Sequence, residues 1–107
     1  MSAADELDRA MRLSRPDRIE AADGEAETVF TDVGLVFVAL APASLAERQV
    51  SGRLGGVATH VARLRSGTAI AGGWRLAEGM RAFRVLAVDD ARRRSGLVTC
   101  VLEEETA

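Results

Sequence analysis

The chain has 107 residues, which is enough for one domain with a modest core. Its net charge of −2 is too close to neutral for bulk electrostatic attraction to nucleic acid. Its hydrophobic fraction of 48% and charged fraction of 28% are those of an ordinary globular protein. We expect a single domain over residues 1–107, with an N-terminal helical arm at 1–16 and a β-barrel at 17–105. The longest apolar run, residues 33–42, is about half the length that a membrane helix needs, and the acidic start does not resemble a secretory signal. We therefore expect no membrane association.

Charge is unevenly distributed along the chain. All 14 basic residues are Arg, which suits subunit interfaces, although a GC-rich genome would also explain the absence of Lys. Residues 1–32 hold nine acids and four Arg (net −5), and residues 33–85 hold two acids and seven Arg (net +5). A chain of this kind can associate head to tail by electrostatic attraction.

The first residues have a weak helical pattern. Apolar side chains recur there at helical spacing: Leu7, Ala10 and Met11. The pattern predicts a short helix over residues 2–13, ended by Pro16. A weakly marked strand over residues 17–22 follows, and Asp23-Gly24 predicts a turn.

The rest of the chain is dominated by strand patterns. We expect strands over residues 27–40, 57–65, 74–77, 80–88 and 97–103. Gly34 predicts a bulge within the first of them. Ser44 and Glu47 match a capping box that opens a short helix ending near Gly52. The pattern predicts a mainly β fold, a small antiparallel barrel or sandwich with one short helix in the long connection and an N-terminal helix.

No catalytic constellation is visible. His60 lies in a strand with no nucleophile or carboxylate beside it in sequence, so we expect a structural or interface role. Cys100, in an apolar strand, is expected to be a small buried side chain. One His and one Cys do not make a usual zinc site. We therefore predict that the protein is not an enzyme and uses no cofactor and no metal.

Three further patterns have alternative interpretations. Residues 103–105 are three carboxylates, which form a solvated tail more often than a cation site. Residues 89–94 form a mixed-charge turn, either solvated or a contact for acidic partners or phosphates. The glycine pairs at 55–56 and 72–73 match no phosphate-binding motif and indicate loop mobility.

From Phe30 to Glu104 the order of these features resembles the phage head–tail joining, or head closure, family. The Arg-rich, Lys-free composition is similar to versions carried by gene transfer agents and alphaproteobacterial prophages. The matching segments, in order, are Phe30–Pro42, Ser44–Arg53, Thr59–Arg65, Gly73–Leu76, Gly79–Val85, Asp89–Arg94, Leu97–Cys100 and Glu103-Glu104. The acidic residues 1–10 have no counterpart in this pattern.

The resemblance implies a structural protein of the neck of a phage-like particle, assembled in the bacterial cytoplasm. Such proteins form a homo-oligomeric ring, six-fold on this interpretation, under the portal and its adaptor. The ring closes the head after packaging, contacts the packaged DNA without sequence specificity, and seats the tail terminator or tail tube protein. We expect neighbouring subunits to pair through edge strands of the barrel.

The resemblance also suggests two groups of site residues. In relatives, the long connection between the second and third strands lies near the channel, which here corresponds to residues 43–57. Its candidate gate residues are Leu45, Glu47, Arg48, Gly52, Arg53, Gly55 and Gly56. The candidate inter-subunit or partner contacts are Arg63, Arg65, Arg92, Arg93 and Arg94.

The main alternative is a small β-barrel binding module, for an oligonucleotide or a protein ligand, outside any virion. A single-strand platform needs several exposed aromatic side chains. The only aromatic residues are Trp74, Phe30, Phe37 and Phe83, and the three Phe lie at core-like positions. We therefore favour the structural protein over the binding module.

Overall fold

The structure, a computed structural model, describes residues 7–48, 55–91 and 93–105. Within these ranges six antiparallel strands close a barrel in the order β1-β2-β3-β6-β5-β4. The elements are β1 Arg9–Glu20, β2 Ala26–Pro42, α1 Leu45–Arg48, β3 His60–Arg65, β4 Arg75–Glu78, β5 Arg81–Asp89 and β6 Leu97–Glu105. A 3₁₀ turn, Arg93–Ser95, joins β5 to β6. The predicted small barrel, with one short helix in its long connection, is confirmed.

The predicted N-terminal helix is wrong over residues 9–13, which form the start of the first strand. Arg9–Leu13, placed in a helix by the sequence pattern, belongs to β1, so the barrel begins well before residue 17. Met11 and Leu13 are both buried and lie two residues apart, as the alternation of a strand requires. They pair with β2, whose strong β pattern outweighs the weak helical spacing. Residues 1–6 of the predicted helix lie outside the described residues.

The core fills the inside of the barrel. Its side chains come from every strand: Met11, Leu13, Val38, Ala62, Leu64, Leu76, Phe83, Val85, Val98, Cys100 and Leu102. Full burial of each large side chain contributes roughly 1.5–3 kcal/mol. Cys100 is fully buried, as predicted, and burial raises the pKa of its thiol to about 12.

The predicted bulge at Gly34 is present. The β1–β2 register shifts so that Val33 is an extra residue between Gly34 and Asp32. Gly34 has a φ of +125°, which L side chains rarely adopt. The Asp32 carboxylate accepts hydrogen bonds from the Gly34 N–H and from Arg12 Nη1, both at 2.8 Å. The pKa of Asp32 is lowered, chiefly by the hydrogen bond from Gly34 and in addition by Arg12.

Beyond this bulge the β1–β2 hairpin leaves the barrel. Pairing of β1 with β4 ends at Ser14, and β3 pairs with β2 only from Ala39 onward. Residues 15–31 therefore form a two-stranded ribbon, which we call the arm. It gives the molecule its long dimension of 54 Å against 28 and 27 Å. Pro16 is tolerated in β1 because it lies where that strand has lost its second neighbour.

The end of the arm is the predicted Asp23-Gly24 turn. The Gly24 N–H donates to the Ala21 carbonyl at 3.0 Å, and Gly24 has a φ of +86°. The Ala21 N–H donates to the Glu25 carbonyl at 2.7 Å, which closes the hairpin. Among the described residues, no helix is long and apolar enough to cross a membrane.

Candidate assembly surfaces

The β2–β3 connection, residues 43–59, is fixed to the barrel at its start. The Ala43 N–H donates to the Thr59 carbonyl at 3.0 Å. The predicted capping box is confirmed, since the Ser44 N–H donates to Glu47 Oε1 at 2.8 Å and the Glu47 N–H to Ser44 Oγ at 3.2 Å. Helix α1 therefore begins at a defined place relative to the end of β2.

The same connection is fixed again before β3. The Val57 N–H donates to Glu103 Oε2 at 2.9 Å, and Arg84 Nη2 donates to Glu103 Oε1 at 3.0 Å. A Cβ on Gly56 would lie 2.9 Å from both Arg84 Nη2 and Glu103 Oε1. Gly56 is thus favoured by its φ of +92°, which L side chains rarely adopt, and a side chain there would also displace the ends of Arg84 and Glu103, whereas the sequence suggested only mobility. Gly55 faces open space.

A small apolar cluster beneath the connection holds it on the outer face of the barrel. Its buried members are Ala43, Ala58, Val61, Leu86 and Val101. Between the two fixed ends, Leu45 of α1 is 80% exposed and Arg48 is exposed too. Of the candidate gate residues, Gly52 and Arg53 lie outside the described residues.

Three of the candidate contact arginines lie around one groove. Arg63 and Arg65 alternate with buried Ala62 and Leu64, so they project from the outer face of β3. Arg94, from the turn before β6, lies across from them. The groove has a volume of about 860 Å³, and its lining is Leu7, Arg63, Arg65, Arg94, Ser95, Gly96, Leu97 and Thr99. We call it the arginine groove. Arg92 and the side chain of Arg93 lie outside what the structure describes.

The arginines of the groove differ from most other arginines of the protein in their lack of an ion pair with a described residue. Six arginines form ion pairs: Arg9–Glu78, Arg12–Asp32, Arg15–Asp17, Arg75–Glu105, Arg81–Glu104 and Arg84–Glu103. Within the described ranges, Arg63, Arg65 and Arg94 form none. Glu47 and Asp89 border a smaller adjoining cavity with Arg63, without pairing to it. The arginine groove therefore keeps positive charge available for a partner.

An apolar stripe lies on the outer face of β2. Leu35 is 56% and Phe37 57% exposed, with half-exposed Val33 next to them in the bulge. We call these three residues the β2 stripe. The stripe forms because Val36 and Val38 face the core, so the alternation of the strand points Leu35 and Phe37 to the outside. Exposed large side chains in a contiguous row are typical of protein contacts.

The expected core positions of the phenylalanines are only partly correct. Phe83 is fully buried, but Phe37 is exposed on the β2 stripe. Phe30 is half-buried on the arm, where the Arg75 guanidinium lies 3.8 Å from its ring centre. The sequence suggested core positions because all three Phe lie in strongly β segments, and periodicity alone did not show which face each occupies.

His60 lies at the barrel end opposite the arm. Its ring packs edge-on against Phe83, with ring centroids 5.1 Å apart, and burial lowers the pKa of the imidazole. The neighbouring Arg9–Glu78 and Arg81–Glu104 ion pairs close this end of the barrel. In the described part of the chain, no group of three His, Cys, Asp or Glu is placed to hold a metal ion.

Barrel closure changes the expected mode of ring formation. Each barrel strand has a hydrogen-bonded neighbour on both sides, with β4 joining β1. The expected pairing of edge strands between subunits is therefore restricted to stretches where a strand lacks its second neighbour. In the described ranges these stretches include the arm and residues 32–38 of β2, which pair with β1 but not with β3.

These features define a small closed-barrel protein with surfaces for association with other proteins. The family model described as phage head completion protein matches residues 3–105, and the chain belongs to that family. The resemblance noted in the sequence from Phe30 onward is confirmed, and the match extends it to the N-terminal segment. The protein is a structural component that completes the head of a phage-like particle, in association with other head and tail proteins.

The fold also occurs in a solved particle. The chain is similar to one in a structure described as the virion of a native gene transfer agent (GTA) particle, with a TM-score of 0.69 and 24% sequence identity. The similarity covers 95% of this chain and 98% of that chain. No curated protein matches the chain.

Proposed function

We propose that the protein forms a ring of six subunits in the neck of its particle, below the portal and its adaptor. The ring closes the DNA channel after packaging and seats the tail terminator or tail tube protein. The observation that carries this proposal is the β2 stripe. Leu35 and Phe37 are both more than half exposed on the barrel surface of a protein that belongs to a head completion family.

The stripe supports assembly because its exposure is costly in an isolated subunit. Burying an apolar side chain of this size contributes roughly 1.5–3 kcal/mol, which a stable monomer would gain by turning it inward. A virion protein gains it instead by contact with a neighbour. The likeness in fold to a chain of a gene transfer agent virion supports the same setting.

The connection over residues 43–57 is proposed as the gate of the channel. Its two ends are held by the Ala43–Thr59 and Val57–Glu103 hydrogen bonds, so the proposed gate is attached to the barrel at both ends. Leu45 and Arg48 project from that part into solvent. An exposed arginine beside DNA contacts phosphates and confers no sequence preference.

Particles that lack the protein test the function directly. We expect full heads without tails that lose their DNA, and we expect added purified protein to restore both tail joining and DNA retention. Tailed, DNA-tight particles without the protein would contradict the proposal.

The β2 stripe is tested by Leu35→Ser with Phe37→Ser, and Met80→Ser is a matched control because Met80 is fully exposed in the β4–β5 turn. The stripe variant should keep its melting temperature but fail to restore tail joining, whereas the control should restore it. Native mass spectrometry of wild-type protein on portal–adaptor complexes should show six subunits. A monomer that instead shifts single-stranded DNA on a gel, through exposed Phe37, would favour the binding module.

The gate is tested with Leu45→Asp, which adds an unfavourable charge beside DNA. We expect tailed particles that leak DNA, because Leu45 lies outside the core and its change leaves the barrel intact. Normal DNA retention in this variant would exclude α1 as the gate. Ala46→Asp on the same short helix is the position control, since both side chains are exposed.

A further inference from the structure

We propose that the tip of the arm of one subunit docks in the arginine groove of the next subunit. This contact rests on the proposed ring and specifies how neighbouring subunits in it would bind each other. The occupant of the groove is thus a second copy of this chain. The inference comes from two surfaces with opposite charge that have no partner within the described part of their own chain.

The arm tip is strongly acidic. Residues 19–27 hold four acids and no basic residue, a net charge of −4. The acids are Glu20, Asp23, Glu25 and Glu27, all exposed and none in an ion pair with another described residue. The only described side-chain hydrogen bond among them is that from the Glu25 N–H to Asp23 Oδ1, at 3.0 Å within the turn.

The arginine groove is complementary to this tip. Arg63, Arg65 and Arg94 supply three positive charges with no ion pair in the described ranges. The guanidinium group binds carboxylates in a planar, two-pronged geometry, so this surface suits acidic side chains. Its volume of about 860 Å³ is that of a cleft for a turn or hairpin end and is too small for a domain.

The positions of the two surfaces allow the contact between neighbours. Strands β1 and β3 are both antiparallel to β2, so they run in the same direction. The arm continues β1, and Arg65 ends β3, so the arm and the groove lie at the same end of the barrel. In a ring whose barrels stand side by side, an arm that leans sideways meets the groove of the next subunit.

Beyond the contact of Arg75 with Phe30 at its base, the arm is a two-stranded ribbon without a third strand. A two-stranded hairpin is marginally stable alone. Ile19 is 46% and Val29 38% exposed, on the face that continues inward-facing Leu13. Docking on a neighbour would cover both side chains. A head-to-tail contact of this kind uses two different surfaces on each subunit, and it generates a ring when the rotation between neighbours closes.

Charge reversal with rescue tests this contact. Glu25→Arg with Glu27→Arg reverses the tip, and Arg63→Glu with Arg65→Glu reverses the groove. Each pair should raise the protein concentration needed for tail joining in depleted particles by roughly ten- to hundredfold. The four changes combined should recover most of that loss. Arg18→Glu is a charge-reversal control, because Arg18 is exposed, forms no ion pair with another described residue, and lies outside the tip, the groove and the proposed gate.

A cross-link gives a second, independent test. Glu25→Cys and Arg94→Cys in one chain should yield a ladder of covalent oligomers ending at the ring number when particles are treated with a short bifunctional maleimide. Buried Cys100 adds no background. Each single variant should give no ladder.

The outcomes separate this contact from the ring itself. Six subunits by native mass spectrometry without rescue or cross-link would overturn the arm–groove contact and leave the ring standing. Absence of any ring would overturn both. If groove reversal alone weakens binding to DNA and tip reversal has no effect, the groove binds phosphates and the proposal is wrong.

Discussion

The backbone N–H of Val57 donates to the carboxylate of Glu103, 2.9 Å away and 46 positions along the chain. This bond joins the β2–β3 connection to the last strand of the barrel. The same carboxylate accepts from Arg84, so one side chain links the connection, β5 and β6. The attachment of the proposed gate to the barrel therefore depends on a residue outside the gate.

Glu103→Ala should loosen the connection while leaving the barrel folded. We expect faster hydrogen exchange at residues 55–59 and a loss of about 1 kcal/mol in the free energy of unfolding, since the bond is charge-assisted but half-exposed. Glu105→Ala is the matched control, because Glu105 lies on the same strand as Glu103, pairs with Arg75 of β4, and makes no described contact with the connection. Equal exchange at residues 55–59 in both variants would show that Glu103 does not anchor the connection.

Acid should destabilise the protein. Hydrogen bonds from Val57, Arg9 and Arg81, respectively, lower the pKa of Glu103, Glu78 and Glu104 below the ordinary value of 4.5. Because the folded pKa lies below the unfolded one, their stabilising contribution is complete above about 4.5 and disappears as pH falls through the folded values.

Burial lowers the pKa of His60 from 6.5, so the unfolded chain binds that proton first and stability begins to fall below about pH 6.5. Denaturant midpoints between about pH 7 and 3 measure both effects. His60→Gln should remove the earlier part of the fall. A stability profile that rises towards acid would contradict these assignments.

Gly34→Asn should destabilise the base of the arm. At a φ of +125° the cost is backbone strain of about 1–3 kcal/mol, because a Cβ there would meet nothing within 4 Å. Gly79→Asn is the control, since its φ of +59° is in the left-handed region that Asn tolerates. Thermal melts should separate the two variants. Equal melting temperatures would mean that the bulge relaxes around the new side chain.

The Cys100 thiol should be inert in the native protein. Full burial and a pKa of about 12 leave almost no accessible thiolate near neutral pH. A thiol reagent should label it only at the rate of unfolding, and stoichiometric labelling in native buffer would show an open barrel. Cys100→Ser should cost about 1–3 kcal/mol, because it buries a hydroxyl without a partner.

The sequence predicted the barrel better than it predicted the surfaces. Strands β2 to β6 follow from local alternation and turn residues, and their predicted ranges overlap the observed ones. The start of β1 was predicted wrongly because Leu7, Ala10 and Met11 recur at helical spacing, although Leu7, Met11 and Leu13 also fit the alternation of a strand. What decides between them is pairing with Leu35–Val38, more than 20 residues away, which local periodicity does not contain.

The candidate contacts were predicted by residue type rather than by position. Arg63, Arg65 and Arg94 were named as candidate contacts from the sequence, and the structure places all three around one groove. The exposed side of Phe37 was missed, because barrel closure decides which face of β2 is covered. The arm was visible as a turn between two strands, but its projection depends on where β4 stops pairing.

Closure of the barrel by β1 and β4 also determines that the subunit folds before it assembles. Hydrogen bonding of the barrel strands is completed within one chain, so folding of the subunit is independent of its concentration, whereas ring formation is not. A dilute pool of folded monomers can therefore persist without polymerising. On the proposed function, assembly would begin where a portal–adaptor complex gathers several copies at one place, so that the completed head would trigger its own closure.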